Sequence, residues 1–275
     1  MIIVEPKAEL WNQPDSDNGW KEHVVRCAKV CYRSEKDVDT DTFLEARLKS
    51  GHYSILRHAT AYFKIHLDNI ILITFIKPYL NSPGISYCYG SDNLFISMNY
   101  QFMQKNLKMY NDLYAYQIDI LEANNIREIK ENIFRYSFYL QTQISTSREL
   151  NRVSPNNILE ESTRYVDQGT ICRPWWWDLD KYGENIKNAY KVAQNDTFFM
   201  YNTLLRYGMA KQDARGVLSL DTCTHVVYTY TIKEWRDIID KRYYGTTGKP
   251  HPNCVEIMEQ VVNLLKEEGH EFRDR

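Results

Sequence analysis

The stretch Ser147-Arg-Glu-Leu-Asn-Arg-Val-Ser-Pro-Asn-Asn-Ile-Leu-Glu-Glu-Ser-Thr-Arg-Tyr165 sets three arginines, three carboxylates and three serines around one Asn/Pro-rich bend. The bend at residues 154–157 reads as a helix end and turn, and Glu160–Tyr165 reads either as a helix cap with surface ion pairs or as an anion site. Arg148, Arg152 and Arg164 offer planar, permanently charged donors to a phosphate or a pyrimidine carbonyl. Ser162 and Thr163 add hydroxyls to the same shell.

Outward from this stretch, the spacing predicts a strand over residues 135–143 leading into a helix that carries Glu149 and Arg152. Towards the N-terminus, residues 2–4 read as a short strand and residues 20–33 as a helix with Val24, Val25, Ala28 and Cys31 on one side. Asp39-Thr-Asp-Thr42 predicts a cap and a second helix that stops at Gly51, and residues 59–66 alternate as a strand. Residues 69–132 give an apolar run at 70–76, a turn at Ser82-Pro83-Gly84 and a long helix from Tyr100 to Ala123. Towards the C-terminus come Trp175-Trp176-Trp177, a helix over 184–207, a second cluster Asp213-Ala-Arg-Gly-Val-Leu-Ser219 and a strand over 222–230. Helices over 233–243 and 253–268 end the chain. Helices flanking a mixed or antiparallel sheet predict an α/β or α+β fold, taken as one domain over residues 1–275.

A net charge of −2 implies no sequence-independent grip on nucleic acid, so arginines that bind phosphate must be concentrated locally. Met1-Ile-Ile-Val-Glu-Pro6 lacks the basic start and long apolar core of a signal peptide, and no apolar run approaches a membrane span. The expectation is a cytoplasmic chain with no membrane partner. Six cysteines (Cys27, Cys31, Cys88, Cys172, Cys223, Cys254) without a framework spacing fit reduced thiols. Cys27 and Cys31 sit one helical turn apart near His23 but lack a second ligand pair, so no metal site is expected. The tryptophan block is expected at an interface or in a packed loop.

The segment Arg152–Tyr165 resembles the signature of the flavin-dependent thymidylate synthases: Arg-His-Arg, two residues, Ser, then Glu-x-Ser-x-Arg-Tyr. The ending matches at Glu160, Ser162, Arg164 and Tyr165, and the start at Arg152 alone. Other segments resemble the family in the same order: Cys31-Tyr-Arg-Ser34, Ser50–Ala59, Asp213-Ala-Arg215 with Val217-Leu218, Lys233-Glu-Trp-Arg236, Arg242 and His251-Pro252. Against compact members, residues 70–132 are an enlargement.

The resemblance implies reductive methylation of dUMP to dTMP, with methylenetetrahydrofolate as carbon donor, FAD as redox carrier and NADPH as hydride source. It implies no cysteine nucleophile, and a homotetramer whose sites form between subunits. By position, it implies catalytic roles for Ser162 and Arg164. It places dUMP at Glu149, Glu160, Ser162, Arg164, Arg215 and Arg242, and FAD at His58, Arg152, Asn157, Glu160, Lys233 and His251. Val153 and Ser154 stand where the family has His and the second Arg, Lys233 where it has Arg, and Arg57 where Glu is frequent. Two alternatives follow from these departures: a related flavin- and folate-dependent enzyme that methylates or hydroxymethylates another pyrimidine nucleotide, or a catalytically silent nucleotide-binding homologue.

Overall fold

The computed structural model describes residues 1–32 and 39–275. Arg33 and Ser34 of the Cys31–Ser34 segment therefore lie outside the described residues.

The N-terminal part runs β1 (Ile2–Val4), β2 (Lys7–Trp11), α1 (Gly19–Val30), α2 (Thr40–Lys49), a 3-10 turn (Tyr53–His58) and β3 (Thr60–His66). Asp39 caps α2 by accepting from the Thr42 amide, as the Asp-Thr-Asp-Thr pattern predicts. The middle holds α3 (Ile70–Ile76), β4 (Ile85–Tyr89), β5 (Asn93–Asn99), α4 (Tyr100–Lys105), α5 (Leu107–Leu113), β6 (Gln117–Ile118), α6 (Ile120–Asn125) and α7 (Arg127–Asn132). Then follow β7 (Arg135–Gln143), α8 (Ile144–Asn151), β8 (Ile158–Glu160), β9 (Thr170–Cys172) and α9 (Glu184–Arg206). The chain continues through α10 (Lys211–Ala214), β10 (Cys223–Thr231), α11 (Ile232–Arg242) and α12 (Pro252–Glu267).

Two four-stranded antiparallel sheets, ordered β2-β7-β10-β8 and β4-β5-β3-β6, carry the architecture, and β1 pairs β9 in parallel. This is the antiparallel, helix-flanked arrangement expected from the sequence. The single long helix expected from Tyr100 to Ala123 does not form. Asn106 leaves the helical region (φ −129°, ψ 46°) and turns its amide onto the Phe102 carbonyl, separating α4 from α5. Further on, the edge of β3 captures Gln117 and Ile118 as a strand. Strand β2 was not expected from the sequence, although Lys7-Ala-Glu-Leu10 alternates charged and apolar residues over a short run; its pairing with β7 holds it.

Strands β7 and β10 pair over nine residues, from Cys223↔Gln143 to Thr231↔Arg135. Alternation then fixes two faces. Tyr136, Phe138, Leu140, Val226, Tyr228 and Tyr230 pack on α11 and α12 through Trp235, Ile239, Met258 and Val261. The opposite face carries Val227 against α1 and α2, together with Ser137 and Thr229. Thr231 and Glu234 form a capping box at the start of α11. Replacing Thr231 with alanine is expected to destabilise the fold by about 1 kcal/mol, read from the urea midpoint at constant m-value.

Candidate active site

Glu160 ends β8 opposite Val226, on the sheet face that supports α8. Ser147 Oγ and Thr224 Oγ1 donate to its Oε1 at 2.7 and 3.0 Å, and Asn151 Nδ2 reaches Oε2 at 3.5 Å. Asn151 is itself fixed by the Tyr228 hydroxyl at 2.7 Å. The carboxylate thus ties α8 to the sheet and fixes where Glu149 and Arg152 emerge. Burial first, and then the Glu160 charge, push the Cys31 thiol up to about 11, so it stays protonated at neutral pH.

Beyond Glu160 the chain makes a turn over residues 162–165. The Ser162 amide donates to the Cys31 carbonyl at 2.9 Å, and the Ser162 carbonyl accepts from Tyr165 and Val166. Three cationic side chains gather on this turn. Arg164 Nη2 donates to Gln212 Oε1 at 3.2 Å, Arg215 Nη1 donates to Thr163 Oγ1 at 2.9 Å, and Lys211 Nζ lies 3.0 Å from Asp167. Arg164 and Arg215 are solvent-exposed and Ser162 is half-buried. The structure therefore brings together Ser162, Arg164 and Arg215, which are 53 positions apart in sequence at the extremes.

A second group lines a cleft of about 550 Å³ bounded by Ser145, Arg148, Glu149, Arg152, Arg242 and Lys249, with Thr247 and Gly248 at its edge. Arg242 Nε donates to the Glu149 carbonyl at 3.1 Å and sits 3.9 Å from Glu149 Oε1. The His251 amide donates to that carboxylate at 3.4 Å. Four cations stand against one carboxylate in this cleft, a donor set of the kind that pairs with phosphate. Ser162, Arg164 and Arg215 are not among its walls.

The remaining candidates are dispersed. His58 is 1% exposed and Asn157 is buried beside it, the Asn157 amide donating to the carbonyls of Arg57 and Thr229 at 3.0 and 2.7 Å. His58 Nδ1 meets Thr229 Oγ1 at 2.8 Å. Lys233 is exposed in the first turn of α11, and His251 caps α12 by accepting from the Asn253 amide at 3.2 Å. Val153 packs against the main core, whereas its neighbour Arg152 is exposed. Trp176 and Trp177 pack as a loop on the start of α9, edge-on to Tyr190 at 5.2 and 5.9 Å.

The model of the family described as thymidylate synthase complementing protein matches residues 92–268. The chain belongs to this family. Every candidate residue of the family signature except His58 lies inside the matched span. Among solved structures, the UMP/dUMP methylase PolB from Streptomyces cacaoi bound with 5-Br dUMP aligns at TM-score 0.48 and 16% identity, over 97% of this chain and 93% of that one. The same protein bound with 5-Br UMP aligns at TM-score 0.48 and 15% identity, over 97% of this chain and 92% of that one. None of the curated proteins matches.

In this family member, several site residues carried no sequence signal. Lys249 reaches the cleft from the loop before α12, and Gln212 holds Arg164. Ser137 and Thr229 look like ordinary strand residues until the β7–β10 register sets them opposite each other. There Ser137 Oγ lies 2.6 Å from Thr229 Oγ1 and 2.9 Å from His23 Nε2.

Burial, with a smaller contribution from Arg26, lowers the His23 imidazole to about 4, and burial holds His58 well below its ordinary value. Both rings are neutral when folded but charge near 6.5 in the unfolded chain. The unfolded state then binds more protons below that value, so their contribution is full above pH 6.5 and is lost as pH falls below it, for His23 down to about 4. The melting temperature is expected to drop across this window, and His23→Gln, neutral throughout, to flatten the drop. An unchanged slope in the variant would refute the assignment.

Proposed function

We propose that the chain reductively methylates a uracil nucleotide, dUMP to dTMP, with methylenetetrahydrofolate, FAD and NADPH. The observation that carries this reading is the cationic cleft in which Glu149, Arg152 and Arg242 meet, three residues that the family resemblance assigns to nucleotide and flavin. Arg242 and Arg148 suit a nucleotide phosphate, and Glu149 accepts from a ring N–H. Arg152 and Lys249 suit the pyrophosphate of FAD, so the donor set fits the charged part of that cofactor. The polar walls offer no slot for its ring system, which another subunit would have to cover. When bound, FAD supplies the electron transfer that no side chain here can perform.

Ser162 and Arg164 act on the pyrimidine. A guanidinium beside the ring favours negative charge as C5 becomes nucleophilic, which is stabilisation where charge develops. Arg215, seated on Thr163, holds a phosphate or uracil oxygen. Ser162, Arg164 and Arg215 do not line the cleft, and the complete site is taken to join the turn of one copy to the cleft of another, as the family resemblance implies. His58, Asn157, Glu160, Lys233 and His251 complete the proposed flavin set, Glu160 by fixing α8.

The assembly is proposed as a homotetramer using α9, where Val192 and Phe199, two turns apart on one face, are 59% and 62% exposed and Met200 is 47% exposed. Phe199→Glu is expected to yield smaller species in light scattering and to abolish turnover. Retention of the wild-type mass would remove α9 from the interface. The function itself is tested by FAD uptake together with the mass of the product from dUMP. Protein that stays colourless with added FAD overturns the reading, and a hydroxymethyl product would favour the alternative suggested by Val153 and Ser154.

A further inference from the structure

Arg57 is fastened to the bend that follows Arg152, although 99 positions separate it from Asn156. Its Nη1 donates to the Asn156 carbonyl at 3.3 Å, and its Nε donates to Gln101 Oε1 at 2.8 Å. Its own carbonyl accepts from Asn157 Nδ2 at 3.0 Å and from Arg135 Nη2 at 3.4 Å, which fixes the backbone from the other side. Gln101 stands on α4, within residues 70–132, so the middle region gives this guanidinium one of its two supports.

The side chain is half-buried, yet its Nη2 has no hydrogen-bond partner among the described residues and stays open to solvent. Neither Arg57 nor Arg135 stands in an ion pair among the described residues. The neighbours on the same bend are turned inward. His58 and Asn157 are 1% and 7% exposed, with His58 Nδ1 on Thr229 and Asn157 Nδ2 on the carbonyls of Arg57 and Thr229. Of these three, Arg57 is the one whose unused donors a ligand can reach.

The sequence departs from the family pattern at both ends of this contact, with opposite changes of charge. Arg57 stands where Glu is frequent, and Ser154 where the motif has its second Arg. Ser154 Oγ accepts from the Asn156 amide at 3.4 Å while Arg57 donates to the Asn156 carbonyl, so both positions touch one residue. The bend lacks a guanidinium at 154 and receives one from 57.

We propose that Arg57 takes over the charge missing at Ser154 and binds a phosphate oxygen of FAD, with Gln101, Arg135 and Asn157 as its positioning residues. The inference rests on the flavin reading and assigns to it a residue that the motif does not contain. A guanidinium edge with unused N–H groups and no countercharge suits phosphate, through short, charge-assisted hydrogen bonds.

The test treats full-length protein with phenylglyoxal, which modifies guanidinium groups, and reads the modified peptides by mass with and without FAD. FAD is expected to protect Arg57, whereas Arg127, 84% exposed in its ion pair with Glu131, should react equally in both samples. Riboflavin, which has no phosphate, should leave Arg57 reactive. By titration calorimetry, Arg57→Gln is expected to bind FAD about tenfold more weakly and Arg57→Glu about a hundredfold. Adding Ser154→Arg to Arg57→Glu should return the affinity to within about threefold of wild type, a recovery that independent sites would not show. Wild-type protein that takes up no FAD would overturn this inference together with the flavin reading. FAD uptake with Arg57 unprotected, equal protection by riboflavin, unchanged affinity in Arg57→Gln, or no recovery in the double variant would overturn this inference alone. The protection experiment uses the wild-type chain, so it decides the matter even if a variant misfolds.

Discussion

Arg164→Ala is expected to lower turnover of the uracil nucleotide by about 10²–10³-fold, the loss typical of removing one donor from a site of developing negative charge. The same protein should fold and melt as wild type. Arg164 is exposed, and among the described residues its guanidinium donates to the Gln212 side-chain oxygen at 3.2 Å and lies over the face of Tyr165 at 5.4 Å, so little of the fold is expected to depend on it. Arg164→Lys should recover part of the rate, because it restores charge without the planar fork. The measurement is kcat with dUMP beside a thermal melt, supported by rescue of a thymidine-requiring strain. Full activity of the alanine variant would remove Arg164 from the nucleotide site, whatever the fate of the cleft.

The largest effect on stability is expected at Trp235, which is 1% exposed at the centre of the main core. Its indole N–H donates to the Tyr136 carbonyl at 3.0 Å, and its ring stands edge-on to Phe138 at 4.9 Å and Tyr230 at 5.3 Å. Trp235→Ala removes this packing, leaves a cavity and orphans a buried carbonyl, for a cost of about 3–5 kcal/mol. For a chain of this size, that lowers the melting temperature by roughly 10 °C. Trp235 also seats α11, which ends at Arg242, so loss of nucleotide affinity should accompany the loss of stability. A urea midpoint close to wild type would mean that the core closes over the void.

The parts of the fold that could be read from sequence are those where periodicity and end signals agree. α2 has Asp39 before it and Gly51 beyond its last turn, α9 is long and amphipathic, and α12 starts at a histidine followed by proline. The middle region misled because helical composition continues through residues 100–123, while the break depends on one asparagine conformation and on the free edge of β3. At the site, Glu149 and Arg152 were readable as helix neighbours, three residues apart. Their meeting with Arg242, 93 positions from Glu149, depends on tertiary packing. Glu160 was read as a ligand contact, and its oxygens are largely engaged by Ser147, Thr224 and Asn151. The Ser137–Thr229 link between His23 and His58 could not be seen at all, since it requires the register of two strands and the burial of a helix histidine.

The inward direction of Val153 bears on how such a sequence can change over time. Because the half-buried side chain at 153 packs against the core, a histidine placed there would set part of its imidazole against apolar neighbours. It would meet a desolvation penalty before any contact with a flavin could compensate. A chain with histidine at position 153 is therefore expected to be less stable than this one unless the bend at residues 154–157 changes with it.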